Sequence, residues 1–249
     1  MNVYEFEPAT LSKVDALKKE FEQVDGDIQR HAAKLQKPLY AKRAETVKDV
    51  PQFWYKAMSN CPHLAAYVDD KDQDLLQKLV SINVEQDEQD PRSATVTFEF
   101  GDNEYLKSNT LVKKFTVKAD AAPLGSDEGE WVEDVTPHKT EIEWTSDEKN
   151  LAKQLPLSKP GEEDFQPGSF FSSFFDAIDE QVTNALGDAM VNTFFPNAIS
   201  FYTGDLVGFE DFEGMDDYDS EDEDDEEDDE EIDLEEEEKR PTKKAKSKK

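Results

Sequence analysis

Carboxylates are the residues of this sequence best suited to chemistry, and their densest run lies near the C-terminus. Between Asp216 and Glu238, 19 of 23 residues are acidic, whereas residues 239–249 contain seven Lys or Arg side chains and no acid. A polyanion of this kind attracts basic groups through many salt-sensitive ion pairs. The run lacks the spaced ligands and central glycine of a calcium loop. The chemistry it indicates is therefore the electrostatic binding of a polycation.

Side chains that catalyse reactions form no recognisable constellation. The histidines, His31, His63 and His138, are far apart in sequence, and Cys61 is the only cysteine. Phosphate-binding glycine loops, zinc-protease motifs and serine-hydrolase motifs do not occur in the sequence. A lone cysteine also excludes an intrachain disulfide and favours a reducing compartment. We therefore predict a protein that is not an enzyme and that uses no cofactor and no metal.

The acidic character extends beyond this run. The 249 residues have a net charge of −32, and residues 1–215 alone carry 41 acidic and 21 basic side chains, a net charge of −20. Such a field repels nucleic acid and anionic membranes, so we expect no direct binding to DNA or to a membrane. A surface that serves only solubility is the simpler alternative. The first residues resemble no signal peptide and no stretch approaches 18 apolar residues, which favours a soluble intracellular protein.

These charges must be positioned by folded elements, and the first is a long helix predicted over residues 8–50. Apolar residues recur along it in steps of three, four or seven, which places them in one stripe. The stripe comprises Leu11, Val14, Leu17, Phe21, Val24, Ile28, Leu35 and Leu39. It must be buried either against a second chain in a paired helix or against its own domain. Gly26 weakens this helix and Pro38 predicts a kink.

The middle of the chain predicts a small antiparallel sheet. Residues 94–100 alternate apolar and polar side chains, and turn residues follow at 101–103, so a hairpin is expected. Residues 111–117 and 141–144 show a similar alternation and would complete the sheet. Residues 119–130 are expected to form a mobile loop.

Short helices are predicted around the sheet, at residues 63–67 and 74–79. Near position 170, a cluster of phenylalanines lies on one helical face. The cluster is Phe170, Phe171, Phe174 and Phe175. It is either part of the core or an exposed site for a partner, and packing in the core is the favoured interpretation.

Five segments, in this order, resemble the nucleosome assembly protein family and in particular its short SET-like branch. They are KPLYAKRAETVKDVPQFW (37–54), FEFGDNEY (98–105), TEIEW (140–144), SFFSSFF (169–175) and FFPNAISFY (194–202). One such segment would be weak evidence, whereas five in the right order are specific. The resemblance covers about residues 8–215.

The resemblance implies an α+β fold in four parts. Residues 1–50 form a long dimerisation helix, and residues 51–212 form the family's earmuff domain, which has a small antiparallel sheet and helices. An acidic tail follows at 213–238, where too few apolar residues offset chain entropy, so we expect disorder. Residues 239–249 form a basic end that is typical of a nuclear localisation signal, or that folds back onto the acidic run.

In function, the resemblance implies a nuclear histone chaperone that acts as a homodimer. It would bind core histones, both the pair that builds the central tetramer and the pair that builds the lateral dimers, and promote nucleosome assembly and disassembly. An alternative from another class is a regulatory subunit of a chromatin enzyme, such as a histone acetyltransferase, or a phosphatase inhibitor. A mimic of DNA would need ordered spacing of carboxylates, which a disordered tract does not supply.

The resemblance also implies that histones meet the late segments of the body together with the tail. In the body we expect contacts from Glu141, Glu143, Asp147, Glu148, Asp205, Glu210 and Asp211. In the tail we expect them from Asp216, Asp217, Glu221, Asp222, Glu223, Asp224 and Asp225. Each acid taken alone is equally typical of an ordinary solvated surface.

Overall fold

The computed structural model describes residues 6–158 and 166–206, which form one long helix, a four-stranded sheet and a set of short helices. The strands are β1 (Leu79–Gln86), β2 (Ala94–Phe100), β3 (Thr110–Val117) and β4 (Val135–His138). The helices are α1 (Pro8–Val47), α2 (Phe53–Ser59), α3 (Pro62–Ala65), α4 (Gln73–Leu76), α5 (Trp131–Asp134), α6 (Leu151–Gln154), α7 (Phe170–Phe175), α8 (Glu180–Asp188) and α9 (Ala198–Thr203). A 3₁₀ turn at Asp147–Lys149 precedes α6, and a π-helical segment at Ala189–Phe194 follows α8. The predicted α+β fold with a long N-terminal helix is confirmed.

Glycine at position 26 lets the domain approach α1 closely. Gly26 is buried, and a Cβ atom there would lie 2.6 Å from the carbonyl oxygen of Leu124. Gly125 has a φ of +89°, which favours glycine, and a Cβ atom on it would overlap the carbonyl oxygen of Glu22. The loop predicted at 119–130 therefore packs on α1 through paired glycines, a role for Gly26 that its low helix propensity alone does not reveal.

The sheet is an antiparallel meander in the order β1-β2-β3-β4. The alternation predicted for β2 is confirmed, since Val96, Phe98 and Phe100 are buried while the residues between them are partly or fully exposed. β3 begins one residue before the predicted segment at 111–117 and ends with it. These two central strands carry the clearest period-two pattern because each has one face on the core and one towards solvent.

The strand predicted at residues 141–144 is wrong. Within that segment Trp144 forms only an isolated bridge with Leu106. The outer strands are instead β1 and β4, and β1 begins within the segment predicted as a helix at 74–79. The alternation at 141–144 reflects the packing of its apolar side chains, since Trp144 lies against Phe171 with ring centroids 5.6 Å apart.

The phenylalanine cluster of α7 is core. All four of its rings are fully buried, and Phe98 of β2 lies among them, with ring centroids 5.4 Å from Phe175 and 5.6 Å from Phe174. Edge-on contacts of this kind bury large apolar area and add a favourable quadrupole interaction. Packing of α7 on the sheet thus organises the centre of the domain, and the cluster is not available to a partner.

A buried arginine joins α1 to the domain. The guanidinium of Arg43 lies over three rings, 4.3 Å from the centroid of Phe195, 5.0 Å from Tyr40 and 5.3 Å from Trp54. It also donates to the backbone carbonyls of Phe195 and Pro196. Burial lowers the pKa of Arg43 because the charged form loses water. The aromatic faces and the carbonyl groups replace part of that lost hydration.

Asp72 is a fully buried carboxyl that supports the start of α7. Its Oδ2 accepts the N–H groups of Phe170 at 2.8 Å and Asp69 at 3.0 Å. Burial disfavours the charged form more than these bonds favour it, so the pKa of Asp72 rises to about 6. Protonation of Asp72 therefore stabilises the folded state.

We expect the Asp72 carboxyl to make stability fall as pH rises. The folded-state pKa lies above the unfolded value near 4, so this contribution is complete below about pH 4 and is lost as pH rises through 6. Between pH 5 and 7.5 the free energy of unfolding should fall by about 1 kcal/mol more in the parent protein than in Asp72→Asn. Urea denaturation of both proteins across this range measures the difference. Equal pH slopes would contradict the assignment.

Candidate functional site

The acidic residues predicted between positions 141 and 148 lie on a segment whose backbone is hydrogen-bonded to the β2–β3 connection. The N–H of Lys107 donates to the carbonyl of Glu143 at 2.9 Å, and the N–H of Thr145 donates to the carbonyl of Tyr105 at 2.8 Å. These bonds replace a strand ladder and satisfy the backbone groups. They also fix the position of the backbone that carries the acidic side chains.

The carboxylates on this segment face solvent. The set is Glu141, Glu143, Asp147 and Glu148, and all four are exposed. Lys139 lies 3.0 Å from the carboxylate of Glu141, and Lys153 lies 2.7 Å from that of Asp147. Exposed ion pairs of this kind contribute at most about 1 kcal/mol each. Cationic side chains of a partner can therefore displace Lys139 and Lys153 from these carboxylates at a small cost in free energy.

Three further acids, absent from the sequence-based predictions, lie close to this segment. Asp74, Asp102 and Glu104 line a cavity of about 580 Å³ together with the ring of Tyr105. The ammonium of Lys149, in the 3₁₀ turn, lies 2.5 Å from Glu104 and 4.7 Å from the Tyr105 ring centroid. No short-range pattern marks Glu104 in the sequence, because only the folded chain brings the β2–β3 connection to the turn at 147–149.

We name as the acidic surface the carboxylates of Glu104, Glu141, Glu143, Asp147 and Glu148. Its chemistry is the binding of cationic side chains, since carboxylates accept strong charge-assisted hydrogen bonds from Lys and Arg. Lys149 shows the geometry within the chain itself, with a carboxylate on one side of the ammonium and an aromatic face on the other. In the described ranges, no three His, Cys, Asp or Glu side chains are grouped as metal ligands.

Asp205 lies apart from the acidic surface. It follows α9, where its carboxylate accepts the hydroxyl of Thr203 at 2.6 Å, and α9 packs on α2. The described hydrogen bonds and ion pairs do not connect Asp205 to residues 141–148. The remaining predicted contacts lie outside the described residues: Glu210, Asp211, Asp216, Asp217, Glu221, Asp222, Glu223, Asp224 and Asp225.

The apolar stripe of α1 is open to solvent in the single chain. Leu11, Leu17, Phe21, Val24, Ile28, Leu35 and Leu39 are between 47% and 62% exposed, and Val14 is half-buried. The face of α1 that meets its own domain is a different one, marked by the buried residues Gly26, Arg43 and Val47. The alternative that this stripe packs on its own domain is therefore wrong. A continuous exposed apolar row is typical of a protein interface.

None of the helices in the described residues is both long enough and apolar enough to cross a membrane. α1 is long, but charged side chains lie between the apolar residues along its whole length.

Comparison with known proteins identifies a matching family model and curated relatives. The model of the nucleosome assembly protein family matches residues 12–205. Protein SET of Drosophila melanogaster is 30% identical over 197 residues, which cover 78% of this chain and 70% of that protein. NAP1-related protein 2 of Arabidopsis thaliana is 30% identical over 187 residues, covering 72% of this chain and 68% of that protein.

Solved structures share the fold. The crystal structure of Ccp1 superposes with a TM-score of 0.62 at 25% identity, covering 86% of this chain and 98% of that one. The crystal structure of Vps75 gives a TM-score of 0.60 at 17% identity, covering 80% of this chain and 98% of that one. At this low identity the Vps75 comparison establishes the architecture alone.

Proposed function

The chain belongs to the nucleosome assembly protein family, and from that premise we propose that it is a nuclear histone chaperone that acts as a homodimer without catalytic chemistry. A role in nucleosome assembly follows from the family. The finer proposal is that it binds both core histone pairs and promotes nucleosome assembly and disassembly. The observation that carries this proposal is the acidic surface, with exposed carboxylates on a backbone held by hydrogen bonds.

The mechanism is competition with DNA for histone Lys and Arg side chains. Histones bind DNA largely through release of counterions from phosphates, which makes that binding strongly dependent on salt. Carboxylates compensate the same cationic groups more weakly, because they carry less charge per unit length than the duplex. A chaperone needs this intermediate strength, since it must prevent aggregation of histones and then release them to DNA.

Two acidic elements divide this work in our proposal. The acidic surface has fixed geometry and supplies selectivity, whereas the run at Asp216–Glu238 supplies additional attraction with 19 carboxylates. The exposed stripe of α1 pairs two chains, which places two acidic surfaces in one assembly. Two linked surfaces raise the effective concentration of the second contact after the first has formed.

We expect neutralisation of four of the five carboxylates of the acidic surface to weaken histone binding at least tenfold. The variant is Glu141→Gln, Glu143→Gln, Asp147→Asn and Glu148→Gln, which removes four exposed carboxylates that each contribute up to about 1 kcal/mol to contacts with histone cations. Fluorescence titration with each histone pair measures the change at low and at moderate salt.

A matched control neutralises four exposed acids on the 119–130 loop: Asp120→Asn, Asp127→Asn, Glu128→Gln and Glu130→Gln. The control should bind histones within about twofold of the parent chain. Equal losses in both variants would show that net charge, rather than the acidic surface, determines affinity.

The contribution of the acidic run is measured by comparing the full chain with residues 1–215. Tight binding by the shorter chain, with a preference for one histone pair, would support the folded body as the selective site. If neither chain binds histones better than an unrelated acidic protein does, the chaperone proposal fails. Regulation of a histone acetyltransferase or of a phosphatase would then be the function to test.

A further inference from the structure

The outer edge of β1 offers unpaired backbone groups. The N–H of Asp87 donates to the carbonyl of Ser93 at 2.9 Å, one step beyond the paired residues Gln86 and Ala94. Because bonds between antiparallel strands recur at every second residue, odd positions of β1 bond to β2 and even positions point outward. The outward N–H and C=O groups are those of Ile82, Val84 and Gln86. No loop, helix or side chain in the described part of the chain bonds to these groups.

The opposite edge of the sheet is closed. On β4, Pro137 has no N–H, and the Nδ2 of Asn184 donates to the carbonyl of Val135 at 2.9 Å. Helix α8 also packs against β4. Proteins commonly block exposed edges in these ways because an open edge pairs readily with another strand. Between residues 82 and 86, β1 carries no proline, no bulge and no such cap.

The part of the open edge at Val84 and Gln86 lies in a groove between β1 and α1 of about 630 Å³, and Ile82 continues the edge beyond the groove. Residues 27–41 of α1 form one wall, with a length of about 21 Å at 1.5 Å per residue. An extended segment of about six residues has the same length. None of the residues that line the groove belongs to the apolar stripe of α1.

The two walls of the groove carry opposite charges. On α1, Lys34 and Lys37 are exposed and have no ion pair or hydrogen bond within the described residues. On the β1 side, Glu85 and Glu88 are likewise exposed and without a charged partner in the described ranges. Successive side chains of an extended strand point to opposite sides. A segment that alternates acidic and basic residues therefore presents one sign of charge to each wall.

We propose that this groove binds an extended, mixed-charge segment of a partner protein, which adds to the sheet as a fifth strand beside β1. Main-chain hydrogen bonds to Ile82, Val84 and Gln86 provide affinity that is independent of sequence, and the charged walls select the alternating pattern. This binding is separate from the contact of histones with the acidic surface, so either can fail without the other.

The test uses the full chain and two labelled eight-residue peptides of identical composition. One alternates glutamate and lysine, and the other has four glutamates followed by four lysines. The acidic run attracts the block of four lysines at least as strongly as the alternating peptide, so tighter binding of the alternating peptide cannot come from that run. We expect the alternating peptide to bind at least fivefold more tightly in fluorescence anisotropy. Equal affinity for the two peptides would overturn the proposal.

Two variants locate the binding. Lys34→Glu with Lys37→Glu should weaken binding of the alternating peptide about tenfold. Lys18→Glu with Lys19→Glu, the same charge change elsewhere on α1, should leave the affinity within twofold. If both pairs weaken binding equally, the contact is general electrostatics and the groove is not the site.

Backbone amides give a direct readout. In amide exchange followed by NMR, bound peptide should protect the N–H groups of Ile82, Val84 and Gln86, whereas those of Asn83 and Glu85 are already protected by β2. Val84→Pro removes one outward N–H while keeping the bonds to β2, and should abolish the new protection. If the peptide binds but the amides of Ile82, Val84 and Gln86 gain no protection from exchange, strand addition beside β1 is contradicted.

Discussion

Replacement of Ile28 and Leu35 on α1 by glutamate is expected to convert the proposed dimer into a monomer. Both side chains are more than half exposed in the single chain and lie in the C-terminal half of the apolar stripe. In a paired arrangement, the double variant would bury four carboxylates of like charge without partners. Burial of unpaired charge costs several kcal/mol, so we expect the dimer dissociation constant to rise at least 1,000-fold.

Light scattering after size exclusion measures this outcome. The parent chain should elute with twice its 28.4 kDa mass and the variant with that mass alone. A matched control, Ser12→Glu with Gln23→Glu, adds the same charge to exposed positions outside the stripe and should remain dimeric. A parent chain that is monomeric at micromolar concentration, or a variant that stays dimeric, would contradict the assignment of this stripe.

Replacement of Arg43 by alanine is expected to lower the free energy of unfolding by about 3 kcal/mol. The change creates a cavity between α1 and the domain, removes contacts with three aromatic faces and leaves the carbonyl of Phe195 without its donor. Relief of the cost of burying the charge offsets only part of this loss. The free energy of unfolding of Arg43→Lys should lie between those of the parent protein and Arg43→Ala. An ammonium group keeps the positive charge, but it is not planar and cannot stack on a ring as a guanidinium does.

Urea denaturation of the three proteins measures this series. Lys42→Ala is the control, since Lys42 is exposed beside Arg43 and its loss should change stability by less than about 0.5 kcal/mol. If Arg43→Ala lies within 1 kcal/mol of this control, the guanidinium contributes little to the junction.

Features that depend on neighbours a few residues away could be predicted from the sequence alone. The steps of three, four and seven in α1 and the alternation in β2 and β3 are local periods, and each element is present within three residues of its predicted bounds. The phenylalanine cluster of α7 likewise reveals its burial through helical spacing. The excess of acidic residues also follows from composition, because charge is additive along the chain.

Which local patterns pair, and which surfaces remain open, depends on contacts between segments that are distant in the chain. The alternation at 141–144 looks like that of a strand, yet its backbone bonds to the β2–β3 connection through scattered contacts, while β4 takes the edge of the sheet. Glu104 pairs with Lys149 across 45 positions of the chain. Gly26 is buried because the loop containing Leu124 lies on it. A residue's partners in hydrogen bonds and packing depend on which distant segments lie beside it in the folded chain. A periodic pattern along the sequence does not identify those segments.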